Sequence, residues 1–231
     1  MRIDKLLAHS GYGSRKDVKQ LLKDGLVTSN GKKIRSSGAH ADPEKDEIYV
    51  GDEKINYSKY VYYMLNKPDG YVSATEDNVY PTVIDLIKEY HPGLFPVGRL
   101  DVDTEGLLLI TNDGQLAHRL LSPRTHVPKT YYVKVKGRLG IGDVNAFTKG
   151  IPLEDFTCMP SYLNIIKSDE VSECEVTIYE GKFHQVKRMF QACGKEVVYL
   201  KRISMGELKL DENLKLGHYR PLTDEEINSI L

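Results

Sequence analysis

The sequence predicts an α+β protein built from a small N-terminal domain over residues 1–58 and a larger domain over residues 59–231, joined by a short polar linker at 56–59. Two observations lead to this fold class. The first 58 residues combine two helical patterns with a hairpin signal. After residue 59, strand patterns outnumber helical ones and several are joined by turn residues, which predicts a mixed, largely antiparallel sheet.

Composition narrows the class of protein. The chain is 40% apolar and 28% charged, as expected for a soluble globular protein. No apolar run approaches the roughly 20 residues that span a bilayer, and residues 1–5 lack the apolar core of a secretion signal. Cys158, Cys174 and Cys193 are widely spaced and odd in number. We therefore expect reduced, buried or half-buried thiols in the cytoplasm, and neither a zinc site nor a disulfide framework.

The net charge of −1 hides a segregation of basic residues. Residues 1–41 carry nine Lys or Arg against three acids, residues 118–138 carry six against none, and residues 182–202 carry six against one. Evenly distributed charge would not produce three such blocks, so they indicate one or more surfaces that face a polyanion. A basic run taken alone is more often a solvated face.

Residues 1–58 predict two helices and a small sheet. Apolar positions 3, 6 and 7 have helical spacing, and glycines at 11 and 13 end that helix. Ser14, with Asp17 three residues later, predicts the N-cap of a second helix that ends at Gly25. The Asn-Gly pair at 30–31 predicts a hairpin, and residues 47–50 predict the last strand.

The order of motifs in this module resembles the S4 RNA-binding domain. The motifs are Arg-x-Asp-Lys-x-Leu-Ala, Gly-x-x-Ser-Arg, Gly-x-Val, Asn-Gly-Lys and Asp-x-Ile, all within residues 1–55. The resemblance implies that the module binds RNA through Arg2, Lys5, Ser14, Arg15, Lys16, Lys19 and Lys32. A capping subdomain without a ligand is the alternative, and it is weakened because the basic residues share an element instead of alternating with acids.

The larger domain predicts strands with helices between them. Strands are expected at 60–68, ending at Pro68, and at 107–110, 129–136, 174–178 and 197–200. Helices are expected at 81–87, closed by 91–93, and at 115–121, 142–149 and 184–191, with a last short helix capped by Thr223 and Glu226. On the helix at 184–191, the apolar residues face the core and leave His184, Lys187 and Arg188 on another side.

One stretch, from Gly98 to Gly106, stands out chemically. It holds three carboxylates between two glycines, and an apolar strand and an Asn-Asp-Gly turn signal follow it. A carboxylate fixed at the mouth of a buried strand is rigid and partly desolvated, which suits a nucleophile or a base. On composition alone, a charged surface loop capped by glycines is the more common explanation.

The string Gly-Arg-Leu-Asp, two residues, Thr, one residue, Gly-Leu-Leu-Leu and then Thr-Asn-Asp-Gly resembles the signature of the RsuA/RluA-type pseudouridine synthases. Three further motifs occur in the family's order: Leu-Asn-Lys-Pro-x-Gly at 65–70, Lys-x-Tyr at 129–131 and Gly-x-x-His-Gln-Val-Lys-Arg-Met-Phe at 181–190. The resemblance covers nearly the whole chain, and the C-terminal tail is similar to the small-subunit (RsuA) branch.

The resemblance implies roles for five residues. Asp101 is the essential catalytic carboxylate, and Arg99 fills the gap that a flipped-out uridine leaves in its helix. Tyr131 stacks on the target base, Leu200 packs under it, and Lys187 pairs with Asp101 and keeps it ionised. Many relatives carry Arg at the position of Lys187, and lysine lacks a bidentate fork, so a looser pair is expected.

Other assignments are less specific. Arg124, Lys129, His184 and Arg188 are further expected RNA contacts, and the carboxylates at 103 and 105 fall at variable positions and are expected to be solvated. Core packing stays open as an alternative for Tyr131 and Leu200, as does a surface position at a helix end for His184.

The resemblance implies an isomerase that converts one specific uridine of ribosomal RNA, 16S rRNA first, into pseudouridine. The uridine must leave its stack before its glycosidic bond breaks. Asp101 then attacks C1′ or C6, or removes the 2′ proton; the sequence leaves these three alternatives open. No redox change occurs, so no cofactor and no metal are expected.

The expected partner is ribosomal RNA, free or within a small-subunit assembly intermediate. No membrane partner is expected, and we expect a monomer. Two rival functions stay open. One is a large-subunit 23S rRNA synthase of the same family, and the other is a non-catalytic ribosome-assembly protein that binds RNA. An intact set of Asp101, Tyr131 and Lys187 argues against the second rival.

Overall fold

The structure is a computed structural model that describes residues 1–43, 45–55, 57–89 and 91–231. It divides into two compact units, one formed by Met1–Val61 and Ile87–Leu94, the other by Tyr62–Leu86 and Phe95–Leu231. Residue 56, where the sequence predicts the start of the linker, lies outside the described residues. The predicted boundary between residues 58 and 59 stays a prediction, and nothing in the sequence indicated that Ile87–Leu94 groups with the first unit.

The first unit contains two helices and a small antiparallel sheet. Its elements are α1 (Ile3–His9), α2 (Arg15–Lys23), β1 (Val27–Ser29), β2 (Lys32–Lys33), β3 (Ile48–Val50) and β4 (Glu53–Lys54), with strand order β2–β1–β3–β4. The predicted capping box is confirmed, because the Ser14 N–H donates to the Asp17 carboxylate at 2.8 Å. Asn30 and Gly31 have φ of 50° and 75°, as a two-residue hairpin of this twist requires.

The second unit is built on a nine-stranded sheet. Its elements are β5 (Tyr62–Lys67), a 3₁₀ turn (Val83–Leu86), β6 (Phe95–Pro96), β7 (Glu105–Thr111), α3 (Gly114–Leu121), β8 (Lys129–Lys136), α4 (Ile141–Lys149), β9 (Tyr162–Lys167), β10 (Val171–Ile178), α5 (Gln185–Ala192), β11 (Glu196–Met205), β12 (Leu208–Lys209), β13 (Tyr219–Pro221) and α6 (Asp224–Ile230). The main strand order is β13–β5–β7–β11–β8–β10–β9, with β12 beside β11 and β6 beside β7. The predicted α+β class with a mixed, largely antiparallel sheet is confirmed.

The pairing of β7 with β11 is parallel and sits at the centre of this sheet. Gly106 lies opposite Arg202 there, with a φ of 101°. A Cβ at Gly106 would collide with the Arg202 carbonyl oxygen, so only glycine allows the two backbones to approach this closely. The start of β7, directly after the carboxylate-rich loop, is therefore fixed against its neighbour.

Two sequence predictions for this unit are wrong in part. The expected helix at 81–87 is a single 3₁₀ turn at Val83–Leu86, and His91 ends no helix. The Pro81 carbonyl, which an α-helix would pair with the Asp85 N–H, accepts instead from the Val72 N–H at 3.0 Å, and the Asp85 N–H donates to the Thr82 carbonyl at 3.1 Å. The strand expected at 197–200 extends to Met205, and Val198 is exposed instead of buried.

None of the described helices combines the length and apolar character that a bilayer crossing requires.

Candidate active site

The loop before β7 is held in one shape by hydrogen bonds. The Thr104 N–H donates to the Asp101 carbonyl at 3.1 Å and closes a turn. The Ser73 hydroxyl donates to the Leu100 carbonyl, and the Leu100 N–H donates to Ser73 Oγ, each at 3.0 Å. Because Ser73 and Leu100 are buried, Asp101 projects from a rigid backbone, as a catalytic group requires.

A buried lysine lies beneath this loop. Lys67, at the end of β5, is fully buried, and its Nζ donates to the carbonyls of Pro68, Val102 and Thr104 at 3.0, 3.0 and 2.8 Å. Burial lowers the pKa of Lys67 to about 8, although nearby carboxylates, Asp69 foremost, oppose the shift. Sequence reasoning assigned Lys67 no role of its own, although it lies in the motif Leu-Asn-Lys-Pro-x-Gly at 65–70, directly before the proline that ends the strand.

Four titratable side chains meet at the mouth of β7. Lys187 Nζ lies 3.2 Å from Asp101 Oδ2 and 2.6 Å from Asp103 Oδ1. His184 Nε2 lies 3.7 Å from Asp101 Oδ1, so each oxygen of the half-buried Asp101 carboxylate has one nitrogen neighbour. His184 is the N-cap of α5 and Lys187 lies in its first turn. The structure thus brings together the predicted pair of Asp101 and Lys187.

Charge pairing outweighs burial in this cluster. Burial lowers the pKa of Lys187, but the hydrogen bond to Asp103 and the charges of Asp101 and Asp103 more than compensate, so the pKa lies above its ordinary value. Burial raises the pKa of Asp103, but the hydrogen bond and charge of Lys187 hold it below its ordinary value. Lys187 is therefore a cation and Asp103 an anion at neutral pH.

The arrangement suits nucleophilic or general-base chemistry at Asp101. The carboxylate is rigid and half-buried, and it is balanced by a cation that is itself fixed on a helix. Such groups act when the reacting atom is delivered within hydrogen-bonding reach. Asp101 is also the member of the acidic pair that faces both nitrogens, whereas Asp103 is exposed.

Leu200 lies on β11, next to β7, and Tyr131 lies on β8, the strand beyond β11. Tyr131 of β8 pairs with Arg202 of β11, which in turn pairs with Gly106 at the start of β7. Tyr131 therefore lies at the same level of the sheet as the mouth of β7. Two strand spacings, or about 10 Å, separate it from β7. Tyr131 and Leu200 are buried, with 8% and 5% of their surface exposed. Both the base-contact roles and the core-packing alternatives stay predictions.

Arg202 is a buried residue that sequence reasoning missed. Its Nε donates to the Leu107 carbonyl at 2.8 Å, and its Nη2 is buried without a hydrogen-bond partner among the described residues. It lies beside Lys129, whose pKa is lowered by burial first and by the charge of Arg202 second. The sequence signal was the Lys-Arg pair that directly follows the apolar strand predicted at 197–200.

Two of the expected RNA contacts have partners within the protein. Lys129 is buried, because it occupies the inward face of β8, and its Nζ donates to the Val127 carbonyl at 2.9 Å. Arg188 is half-buried; its guanidinium pairs with Asp155 and lies 5.4 Å from the centroid of the Phe156 ring. The burial of Lys129 corrects that prediction, whereas the expected RNA contact of Arg188 stays a prediction, because an ion pair with an exposed aspartate is weak and exchangeable.

The expected solvation holds for Asp103 but not for Glu105. Asp103 is exposed, and it also accepts a hydrogen bond from Lys187. Glu105 is half-buried and accepts a hydrogen bond from the Tyr199 hydroxyl at 2.5 Å. Both partners are far away in sequence, which is why local patterning did not reveal them.

The remaining basic residues are mostly exposed. Lys5, Arg15, Lys16, Lys19, Lys32, Arg99 and Arg124 all face solvent. Arg2 is exposed and donates to the buried Asp4. The Ser14 hydroxyl donates to Asp17 at 2.6 Å and accepts from the Asp17 N–H, so it serves the helix cap.

Within residues 1–43, 45–55, 57–89 and 91–231, no group of three or more His, Cys, Asp or Glu is arranged to hold a metal ion. All three cysteines are free; Cys158 and Cys174 are buried and Cys193 is half-buried, as the sequence predicted.

Comparisons with known proteins point to one family. The family model for RNA pseudouridylate synthase matches residues 61–192, and the S4 domain model matches residues 1–48. The chain is 50% identical over 232 residues to the uncharacterized RNA pseudouridine synthase YtzG of Bacillus subtilis (strain 168), covering 99% of this chain and 97% of that protein. It is 41% identical over 235 residues to ribosomal small subunit pseudouridine synthase A of Escherichia coli (strain K12), covering 100% of both.

A solved structure supports the same assignment. The crystal structure of a pseudouridylate synthase matches 100% of both chains, with a TM-score of 0.69 and 39% identity. With an N-terminal S4 domain, a matching catalytic-domain model and relatives of more than 40% identity along its whole length, the chain belongs to the RNA pseudouridine synthases, the isomerases that convert uridine to pseudouridine.

Proposed function

We propose that this enzyme converts one specific uridine of 16S rRNA to pseudouridine, with Asp101 as the catalytic carboxylate. The observation that carries the proposal is the contact of 3.2 Å between Asp101 and Lys187 at the mouth of the central strand. The choice of the small-subunit RNA is supported by the full-length similarity to ribosomal small subunit pseudouridine synthase A of Escherichia coli.

The reaction rearranges bonds without a change in oxidation state. The bond from N1 of uracil to C1′ breaks, the base rotates, and a bond from C5 to C1′ forms. C5 loses one proton and N1 gains one, so the isomerisation needs no oxidant or reductant. Asp101 starts it by attack at C1′ or C6 or by removal of the 2′ proton, and Lys187 orients the carboxylate for any of these steps.

The remaining site residues handle the displaced uridine. Extruding a base from its stack costs a few kcal/mol, and contacts to the base and to the gap that it leaves offset this cost. Tyr131 stacks on the uracil and Leu200 packs beneath it. The exposed Arg99 enters the gap in the RNA.

The first unit holds the RNA by its phosphates. Lys5, Arg15, Lys16, Lys19 and Lys32 are exposed, and exposed cations on one small module neutralise phosphates and release counterions. The enzyme acts as a monomer in the cytoplasm, on free RNA or on an assembly intermediate of the small subunit. Light scattering with and without 16S rRNA tests the monomer.

The test of the proposed function is the chemical mapping of pseudouridine in 16S and 23S rRNA from cells with and without the enzyme, and from cells that express Asp101→Asn. A 16S pseudouridine that disappears with the enzyme and does not return with Asp101→Asn is the expected result. Loss of a 23S pseudouridine instead would identify a large-subunit synthase. An unchanged pattern in both RNAs would leave a non-catalytic assembly role.

A further inference from the structure

We propose that the stacked rings of Phe183 and His184 form a platform for the nucleobase next to the target uridine, a contact that rests on the proposed function. The platform binds one unstacked base of the RNA strand, on the side of His184 away from Asp101. Phe183 and His184 thereby position the neighbouring nucleotide while Asp101 acts on the ribose of the target.

The two rings form a fixed unit. Their centroids are 3.7 Å apart and their planes differ by 19°. His184 has a φ of 48°, in the left-handed region that non-glycine residues rarely occupy. Residues held in such a conformation cluster at functional sites. Here the turn directs the imidazole of His184 to Asp101 and leaves the Phe183 ring on its outer side.

A buried glutamine holds the turn below the rings. Gln185 Oε1 accepts from the Lys182 N–H at 2.9 Å, and Gln185 Nε2 donates to Glu180 at 2.8 Å. Gln185 is itself buried. The Phe183 ring therefore stands on an ordered turn, and little ordering remains when a base stacks on it.

The outer ring is open to solvent. Phe183 is 75% exposed, although one face of its ring is covered by His184. Single exposed apolar residues are common and need no explanation. Phe183 differs because it stacks on the imidazole of His184, whose Nε2 lies 3.7 Å from Asp101 Oδ1.

An RNA base fits this surface better than an apolar peptide would. Every base offers a π-face, and a base that flips out leaves its neighbour without a stacking partner on one side. The exposed Lys182 precedes Phe183 and supplies a positive charge near the backbone of the same nucleotide. The target uracil does not take this place, because a base on the open face of Phe183 lies beyond the imidazole, farther from Asp101 than the target ribose.

The test combines a protein variant with an RNA that lacks one base. The probe is a fluorescein-labelled single-stranded RNA with one uridine among adenosines, and copies carry an abasic ribose directly 5′ or 3′ of the uridine. Phe183→Ala should weaken binding of the intact RNA about 5- to 100-fold, the range for loss of one stacked base. Its effect should disappear on one of the two abasic RNAs, and Phe183→Trp should bind the intact RNA like wild type.

Steady-state kinetics and a matched variant complete the test. Phe183→Ala should raise the KM for rRNA by a similar factor and leave kcat at saturation nearly unchanged, since it keeps His184 and Lys187, the two side chains beside Asp101. Ile141→Ala removes an equally exposed apolar side chain at the start of α4 and should leave affinity, KM and kcat unchanged.

The inference is overturned if Phe183→Ala leaves the KM and the affinity unchanged, or weakens the intact and both abasic RNAs equally. A failure of the proposed function is separate, because wild type would then form no pseudouridine in rRNA while the comparison of binding still decides whether Phe183 stacks on a base.

Discussion

The basic residues of the two units differ in what they contact. On α2 of the first unit, Arg15, Lys16 and Lys19 are exposed and make no hydrogen bond or ion pair within the described part of the chain. In the second unit, cations of the block at 182–202 are bonded within the protein: Lys187 contacts Asp101, and Arg188 contacts Asp155.

The difference shows that the density of basic residues along the sequence does not reveal whether each side chain faces solvent or bonds within the protein. The blocks at 1–41 and 182–202 look alike in sequence, and both indicated a surface that faces a polyanion. Only the first presents most of its cations to solvent. In the second, Lys187 and Arg188 pair with acids that are distant along the chain, and Arg202 is buried. We therefore expect phosphate binding to depend on the first block and catalysis to depend on particular pairs of the second.

The largest expected effect comes from removing the carboxylate that Lys187 contacts in the second unit. Asp101→Asn keeps the shape of the side chain but is neither a nucleophile nor a base, so activity should fall about 10³-fold or more. RNA affinity and melting temperature should stay close to wild type. Residual turnover within about tenfold of wild type would exclude an essential chemical role for Asp101.

Lys67→Met tests the most deeply buried cation. It leaves three carbonyls without their donor, and we expect a loss of about 2–4 kcal/mol in unfolding free energy together with reduced kcat. Calorimetry of wild type and variant measures the first effect, and single-turnover kinetics the second.

The pH dependence of the same comparison follows from the pKa of Lys67. That pKa is lowered to about 8 in the folded state, whereas the unfolded value is about 10.4. Between these values the unfolded chain holds the extra proton, so wild type should gain stability relative to Lys67→Met as pH rises through this window. A stability difference that stays flat from pH 8 to 10 would contradict the lowered pKa.

Lys187→Met and Arg188→Met form a matched pair on one helix turn. Lys187→Met removes the cation beside Asp101 and should lower kcat about 10- to 100-fold with little change in RNA affinity. Arg188→Met breaks the ion pair with Asp155 and should leave kcat and RNA affinity within about twofold. If Arg188→Met weakens RNA binding strongly, the guanidinium must leave Asp155 for a phosphate. Arg188 would then be the RNA contact that the sequence predicts.

Sequence periodicity predicted an element correctly where the local pattern alone decides which residues are buried. The strand Lys129–Lys136 was predicted with its bounds, because alternate burial is encoded residue by residue. The helix expected at 81–87 is only one 3₁₀ turn, because the Pro81 carbonyl bonds to the Val72 N–H, which is distant along the chain, and not within a helix. Val198 is exposed for a different reason, since its position in the sheet, and not its own apolarity, decides its burial.

For the site, the family resemblance identified residues but not most of their contacts. It pointed to the pair of Asp101 and Lys187, which the structure places 3.2 Å apart. It gave no sign that Asp103 lies closer still to Lys187, at 2.6 Å, or that Lys67 holds the loop by two of its carbonyls. These interactions join the loop to β5 and α5, which are distant along the chain, so no local pattern encodes them.

The exposed cations of α2 should mainly determine how strongly RNA affinity depends on salt concentration. Lys16→Ala and Lys19→Ala, made together, should weaken RNA binding and reduce the slope of log affinity against log salt by roughly 0.7–0.9 for each phosphate that is no longer neutralised. Catalysis at saturating RNA should be unchanged. Titrations at several salt concentrations measure the slope, with Arg188→Met as the control for removal of a basic side chain, whose slope should match wild type.

The smallest effect separates a structural from an RNA-binding role for Ser14. Both hydrogen bonds of its hydroxyl are made with Asp17, in the capping box of α2. Ser14→Ala should therefore lower the stability of the first unit by about 1 kcal/mol, and RNA affinity under conditions where that unit stays folded should change less than twofold. Ser14→Thr keeps a capping oxygen and should restore most of the stability. An affinity loss in Ser14→Ala without a lower melting temperature would place the hydroxyl on the RNA. If Ser14→Ala lowers both the RNA affinity and the melting temperature, the cap orders the exposed lysines of α2. Fraying of the first turn would then disperse the cations that neutralise phosphates.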